Sequence, residues 1–179
     1  TNEIENRGDH FLGPIVVRQE EEGRKYEIID GQQRLTTSLI LLSAIRNCYN
    51  ENGDDLHTTI QTQYFGNVDR RSRQVIPKYN MNSINNPIFR DYIARIRSAA
   101  DIRRVAILRQ TKLSNKKILN AYLYLKTKID EKVNTPTGFN PDFLADIEDF
   151  IKEKLSVIQI IVSDEADAYT LFETLNERG

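Results

Sequence analysis

The sequence predicts an α+β protein, with a small hairpin-based α/β unit followed by a mainly helical bundle. Three observations carry this. A β-branched segment, Phe11–Val17, and one that alternates charged with apolar residues, Lys25–Ile29, flank a short acidic turn at Glu20–Gly23 and read as an antiparallel hairpin. Apolar residues then recur at three- and four-residue spacing over four separate stretches, the signature of amphipathic helices. Near the end, Val157–Val162 is an unbroken β-branched run. It reads as a buried strand returning to the N-terminal sheet.

Taken in order, Asp30-Gly31 ends the second strand with turn chemistry. Gln32 to about Asn50 is a helix with Leu35, Leu39, Leu42, Ile45 and Tyr49 on one face, stopped by Asn52-Gly53 and Asp54-Asp55. Residues 58–65 alternate and read as a strand. Val75–Pro77 and Asn82–Pro87, punctuated by Pro and Asn, read as loop. Ile88–Ser98 is a helix with Phe89, Tyr92, Ile93 and Ile96 inward. Ser114 caps a longer helix to Lys132, striped by Ile118, Tyr122, Leu125 and Ile129. Asn134–Asn140 is a loop, and Pro141–Leu155 a helix burying Phe143, Leu144, Ile147 and Ile151. A last helix spans Glu165–Leu175, capped by Ser163-Asp164. The expected division is 1–57 for the α/β unit and 58–179 for the helical region with its returning strand near 157–162.

Composition narrows the function. At 179 residues and 39% hydrophobic, the chain can bury a core. Its longest apolar run, near Leu39–Leu42, is far too short for a membrane span. One cysteine, Cys48, and two histidines, His10 and His57, exclude an internal disulfide and Cys- or His-rich metal clusters. Cys48 reads as core and His57 as surface; Asp146, Glu148 and Asp149 read as a solvated helix face. The polar start Thr1–His10 has no apolar signal segment, so a reducing, cytoplasmic setting is expected. The net charge of −1 hides a partition: residues 90–129 hold 11 basic and 2 acidic side chains, net +9, and residues 130–179 hold 4 and 12, net −8. A basic segment of this kind suits nucleic acid; a solvated or helix-paired face is the plainer alternative.

One segment concentrates chemistry. Ile28–Thr37 runs strand, Asp-Gly turn, polar tetrad, helix. Amides at a helix start and the helix dipole favour anions, and a glycine lets a ligand approach. Arg34 offers a planar fork for phosphate, and Thr36 and Thr37 offer hydroxyls. Asp30 could hold a metal-bound water or polarise a nucleophile. The segment is not a Walker A loop. The alternative is that Asp30 and Gly31 only make the turn, with Gln32 and Gln33 exposed in the first helical turn.

The string Asp30-Gly31-Gln32-Gln33-Arg34-Leu35-Thr36-Thr37 resembles the signature of the N-terminal domain of GmrSD-type, modification-dependent restriction enzymes, a prokaryotic family whose core resembles ParB and sulfiredoxin. Phe11–Val16 is similar to the family's strand before that motif, and Leu171–Gly179 resembles a second block, Phe-x-x-Leu-Asn-x-Arg-Gly. Ile76-Pro77 and the Ser114–Lys128 helix fall where the family has similar segments, so the likeness covers essentially the whole chain.

The resemblance implies a nucleotide-binding, NTP-hydrolysing domain of a DNA restriction and phage-defence protein. Asp30, Gln33 and Arg34 would be catalytic, with Asp30 toward a divalent cation, Mg2+. Gly31, Gln32, Arg34, Thr36, Thr37, Asn176 and Arg178 would bind the nucleotide. DNA, modified in some cases, would be the partner, and Arg90, Arg95, Arg97, Arg103, Arg104, Arg109, Lys112, Lys116 and Lys117 would meet its phosphates. The pairs Arg103-Arg104 and Lys116-Lys117 cannot share one helix face. The family's opening segment, resembling Ile-Pro-x-Tyr-Gln-Arg-x-Tyr-x-Trp, has no counterpart in a chain without Trp. Its nuclease part, often of His-Asn-His type, lies further downstream. The sequence therefore reads as an internal fragment of a longer protein, with the nuclease domain or subunit elsewhere. The alternatives are a DNA-sensing module without nucleotide turnover and a protein-interaction module docking through its acidic end.

Overall fold

The first strand, β1 (His10–Gln19), is the middle of a three-stranded sheet in the computed structural model, which describes residues 8–19, 25–73, 75–163 and 166–167. β2 (Tyr26–Asp30) pairs with it antiparallel, Val17 opposite Ile28. β7 (Leu155–Val162) pairs with its other edge in parallel, Val16 opposite Ile160. Both ladders shift register along β1, and the shift toward β7 falls between Phe11 and Pro14. Gly13 and Pro14 sit there. Gly13 has φ +105°, and Pro14 has no N–H for a ladder, so this pair is suited to an irregularity rather than regular pairing. Val16 and Val162 are buried together, with Ile29 and Ile160 packed against them.

β7 departs from expectation. It was predicted to be buried, yet Val157, Ile158 and Ile161 are exposed, at 45%, 56% and 55%. Among the described residues β7 is an edge strand bonded only to β1. A β-branched run reports strand propensity, not how many layers cover it.

Helix α1 (Gln32–Glu51) follows β2 directly. Of its expected stripe, Leu39, Leu42, Ile45 and Tyr49 are buried and Leu35 is half-buried. The chain forms two compact units, one from Thr1–Thr36 with Asp149–Gly179, the other from Thr37–Glu148.

In the second unit, residues 58–65 are helical, not a strand. α2 (Leu56–Ile60) continues as a π-helical turn, Gln61–Phe65. The sequence alternation there was between polar Thr and Gln; the positions that bury are Ile60 and Phe65, which helical winding brings to one side. Asp54 Oδ1 accepts from the Leu56 amide at 2.9 Å and supports the start. β3 (Gly66–Val68) and β4 (Val75–Pro77) form a short antiparallel ladder where loop was expected at 75–77.

α3 (Asn86–Ile88) likewise runs into a π-helical turn, Phe89–Ile93, burying Phe89 and Ile93. It stops before Ser98, and Ile96, expected inward, is 37% exposed. Ser98 instead caps α4 (Ala99–Ile107): its Oγ accepts from the Asp101 amide and donates to the Asp101 carboxylate, a side-chain N-cap. α5 (Leu113–Val133) buries Ile118, Tyr122 and Ile129. Its N-cap is Lys112 rather than Ser114, whose hydroxyl bonds Asn85 Oδ1 at 2.8 Å. β5 (Asn134–Thr135) and β6 (Gly138–Phe139) make a small hairpin in the expected loop, before α6 (Asp142–Glu153). The expected helix 165–175, with Asn176 and Arg178, lies outside the described residues apart from Ala166 and Asp167.

Candidate functional site: the turn between β2 and α1

Asp30 ends β2, Gly31 turns the chain and Gln32 starts α1. Gly31 is buried and has φ +93°, a conformation that side chains other than glycine's adopt poorly. A Cβ at this position would also sit 3.0 Å from Ile15 Cγ1 of β1. The turn therefore packs tightly on β1, and glycine is needed for both reasons.

Arg34 reaches back from the first turn of α1 across this arrangement. Its Nη1 donates to the Pro14 carbonyl at 2.9 Å and lies 3.6 Å from Asp30 Oδ2. A Cβ on Gly13 would come within 3.1 Å of Arg34 Nε. The Gly13-Pro14 irregularity in β1 thus makes room for the guanidinium and supplies its acceptor. Arg34 and Asp30 remain partly open to solvent, at 39% and 29%. Gln32 is exposed and donates from Nε2 to the Ile28 carbonyl at 3.1 Å; Gln33 and Thr37 are exposed, and Thr36 is buried. The structure thus gathers Asp30, Gly31 and Arg34 and adds Gly13 and Pro14. The sequence signal for those two was a Gly-Pro step inside a β-branched run, which only the β1–β7 register turns into a statement about Arg34.

Among the described residues no group of three or more His, Cys, Asp or Glu side chains converges. Among those residues Asp30 is thus a single carboxylate rather than part of a metal cage. One carboxylate beside a phosphate-bearing ligand is a usual way to hold Mg2+, so the residues present are compatible with that ion.

The basic candidates fall into two sets. Arg103 and Arg104 lie on α4, and Lys116 and Lys117 on α5; Arg109 and Lys112 lie on the segment between those helices. Of these Lys116 is half-buried and the rest are exposed. Arg90, Arg95 and Arg97 line a cleft of about 530 Å3 together with Asp91, Asn80 and Asn86. Arg90 grips the Asp91 carboxylate through Nε and Nη2 at 2.9 and 3.2 Å. That fork holds the Asp91 carboxyl below its ordinary range against the opposing pull of burial, and the charges of Arg90, Arg95 and Arg97 add to the effect.

Behind this cleft the sequence reading missed a buried arginine. Arg46 is fully buried and no carboxylate pairs with it among the described residues. Its guanidinium donates to the carbonyls of Ile93, Ala94 and Arg95, to Gln61 Oε1, Asn47 Oδ1 and Ser43 Oγ. It also lies 4.6 Å over the Phe65 ring, within cation–π range. Ser43 and Asn47 add bonds to the carbonyls of Ile93 and Arg97. Three consecutive carbonyls that leave the π-helical turn are thus satisfied by one side chain. Burial lowers the Arg46 pKa to about 10. A signal existed: Arg46 follows Leu42 by four residues and precedes Tyr49 by three, so it sits on the apolar face of α1.

Compared with known families, residues 2–179 match the model of the GmrSD restriction endonuclease N-terminal domain. The chain belongs to that family. The membership places it with restriction and defence proteins. The motif at Asp30–Thr37 and the β1 strand before it both lie inside the matched span. No curated protein matches the chain. No helix among the described residues is long and apolar enough to cross a membrane.

Proposed function

We propose that the turn between β2 and α1 binds a nucleoside triphosphate with Mg2+ and hydrolyses it within a modification-dependent DNA restriction protein. The observation that carries this reading is the seat of Arg34. A half-exposed guanidinium is anchored by a backbone carbonyl at the start of a 20-residue helix, 3.6 Å from a carboxylate, and over Gly13, where a Cβ would crowd it at 3.1 Å. A planar fork at a helix start suits phosphate oxygens. In this reading Arg34 and the backbone after Gly31 take the phosphates, with the exposed Gln32 and Thr37 beside them and Thr36 buried behind the turn. Asp30 faces the metal and Gln33 orients water. Bound Mg2+ would supply charge neutralisation on the phosphates.

DNA as the partner is supported by the family's name and by the concentration of arginines in residues 90–109. A nuclease domain or subunit outside this chain would do the cutting. Arginines around a cleft also favour the second reading, a DNA-sensing module without turnover.

Calorimetry with a slowly hydrolysed nucleoside triphosphate in Mg2+ buffer separates these. The native chain should bind, and Arg34→Ala should weaken binding about 10- to 100-fold, the loss of one or two charge-assisted hydrogen bonds. Unchanged affinity would remove Arg34 from the site. Absence of heat with the native chain would remove the nucleotide reading and leave the sensing one.

A further inference from the structure

The cleft lined by Arg90, Asp91, Arg95 and Arg97 has features that an ordinary charged surface lacks. Its only carboxylate among the lining residues, Asp91, is already gripped by both arms of Arg90. Three arginines against one aspartate leave two positive charges facing the same space. Arg97 Nε is turned toward the Asp91 carbonyl at 3.0 Å. Arg95 makes no ion pair and no side-chain hydrogen bond among the described residues, yet its charge acts on Asp91. A half-buried arginine facing a cleft without an acidic partner has donor capacity for an anion.

The backbone beneath these arginines is fixed before any ligand arrives. Arg46, Ser43 and Asn47 of α1 hold the carbonyls of residues 93, 94, 95 and 97 from below. Ordering a loop on binding costs affinity, and here that ordering is built into the fold. The rest of the lining is uncharged: Pro77, Asn80, Asn86 and Tyr92. A second depression of about 240 Å3 shares Arg97 and Tyr92 and adds Arg104 and Asp101, whose side chains lie 3.6 Å apart. Two adjoining cationic depressions suit a ligand with repeated anionic groups better than a single small ion.

We propose that this cleft is a phosphodiester-binding site for a nucleic-acid backbone, with Arg95 and Arg97 as the contacting pair on a backbone that Arg46 holds at residue 95 and Asn47 at residue 97. The proposal rests on the reading of DNA as partner and gives it an address. It also narrows it, because Arg103, Arg109, Lys112, Lys116 and Lys117 line neither depression.

The test is fluorescence anisotropy of a labelled DNA duplex with the full chain over a salt series, with titration of inorganic tripolyphosphate in parallel. Each lost phosphate contact should flatten the slope of log K against log salt by about one. Arg95→Gln and Arg97→Gln should each do so, and the double variant by about two. Both positions are at least partly solvent-exposed, so the variants should keep the native melting temperature. If the native chain binds duplex and the double variant keeps its slope, the cleft is overturned while DNA binding stands. The slope would then move to Arg103→Gln or Lys117→Gln. If the native chain ignores duplex but binds tripolyphosphate through Arg95 and Arg97, the site takes a small anion and the nucleic-acid assignment is overturned. If neither binds, both the cleft and the DNA reading fall.

Discussion

Two arginines on one helix show how differently the same side chain can be used. Arg34, in the first turn of α1, donates to the Pro14 carbonyl, neighbours Asp30 and stays 39% exposed. Arg46, three turns on, is fully buried and saturates its guanidinium with neutral oxygens. The difference lies less in the arginines than in their acceptors. Pro14 is half-buried, so its carbonyl can turn to water if Arg34 is lost. Ile93 and Ala94 are 0% and 3% exposed, and their carbonyls have no such alternative. A buried acceptor left unmade costs its full desolvation. On that ground Arg46 braces the fold from within, whereas Arg34 is held at a partly exposed turn.

The largest effect should therefore come from Arg46→Met. It removes a charge that burial disfavours, which helps, but it strands several buried oxygens at once. The net expectation is a loss of about 3–5 kcal/mol in urea unfolding. Arg46→Lys should recover little of it, since a single ammonium cannot span acceptors matched to a planar fork. A loss below about 1 kcal/mol would mean that water satisfies those carbonyls, and the comparison would fail.

That asymmetry also explains what could be read from the sequence. The hairpin, α1 and α5 were legible because Leu39, Leu42, Ile45 and Tyr49, or Ile118, Tyr122 and Ile129, repeat at the helical period and all bury. Residues 58–65 misled because alternation of Thr with Gln carries no apolar face. α4 went unread although Ser98 and Asp101 spell out its cap. Strands of three residues such as β3 and β4 are too short to show a period. In the turn, Asp30-Gly31 was legible because only glycine tolerates φ +93°. The part played by Gly13 and Pro14 was not, because it depends on which strands meet. Arg46 was legible in principle as a charge on an apolar stripe, but its partners at residues 93–95 are some fifty positions away.

A smaller effect sharpens the picture of the buried end of α1. Cys48 is 1% exposed, and its Sγ donates to Asp130 Oδ1 at 3.4 Å. Burial, reinforced by Asp130 and opposed by Lys126, pushes the thiol up to about 12. In the unfolded chain the thiol ionises near pH 8.5–9. A raised folded pKa gives stability that is complete below the unfolded value and is lost as pH climbs toward the folded one. Tyr122, raised to about 12 chiefly by burial, acts with the same sign but only above about pH 10. Lys126 acts likewise: burial lowers its pKa, but bonds to Asp130 and Glu51 outweigh that and raise it. Arg46, lowered to about 10, has the opposite sign and is silent below that pH. The window from about pH 8 to 9.5 therefore isolates Cys48. Unfolding free energy should fall there by on the order of 1 kcal/mol, and Cys48→Ala should remove the slope while itself being less stable. A flat native profile would mean that the thiol ionises as easily folded as unfolded.

The smallest effect decides most about the site. Arg34→Ala should change stability by less than about 1 kcal/mol. The Asp30 contact, at 3.6 Å with both groups partly exposed, belongs to the class of surface pairs worth little. The hydrogen bond to Pro14 is replaceable by water, and alanine is at least as good a helix former as arginine. Near-native stability with lost nucleotide affinity would mean that the guanidinium had been holding the ligand rather than the fold. A loss above about 2 kcal/mol would reverse the comparison. Arg34 would then be the brace of the Gly13-Pro14 irregularity, and lost affinity in Arg34→Ala would report a rearranged β1. Gly13→Ala, which crowds Arg34 Nε from the strand side without touching its charge, would then be expected to reproduce both losses together.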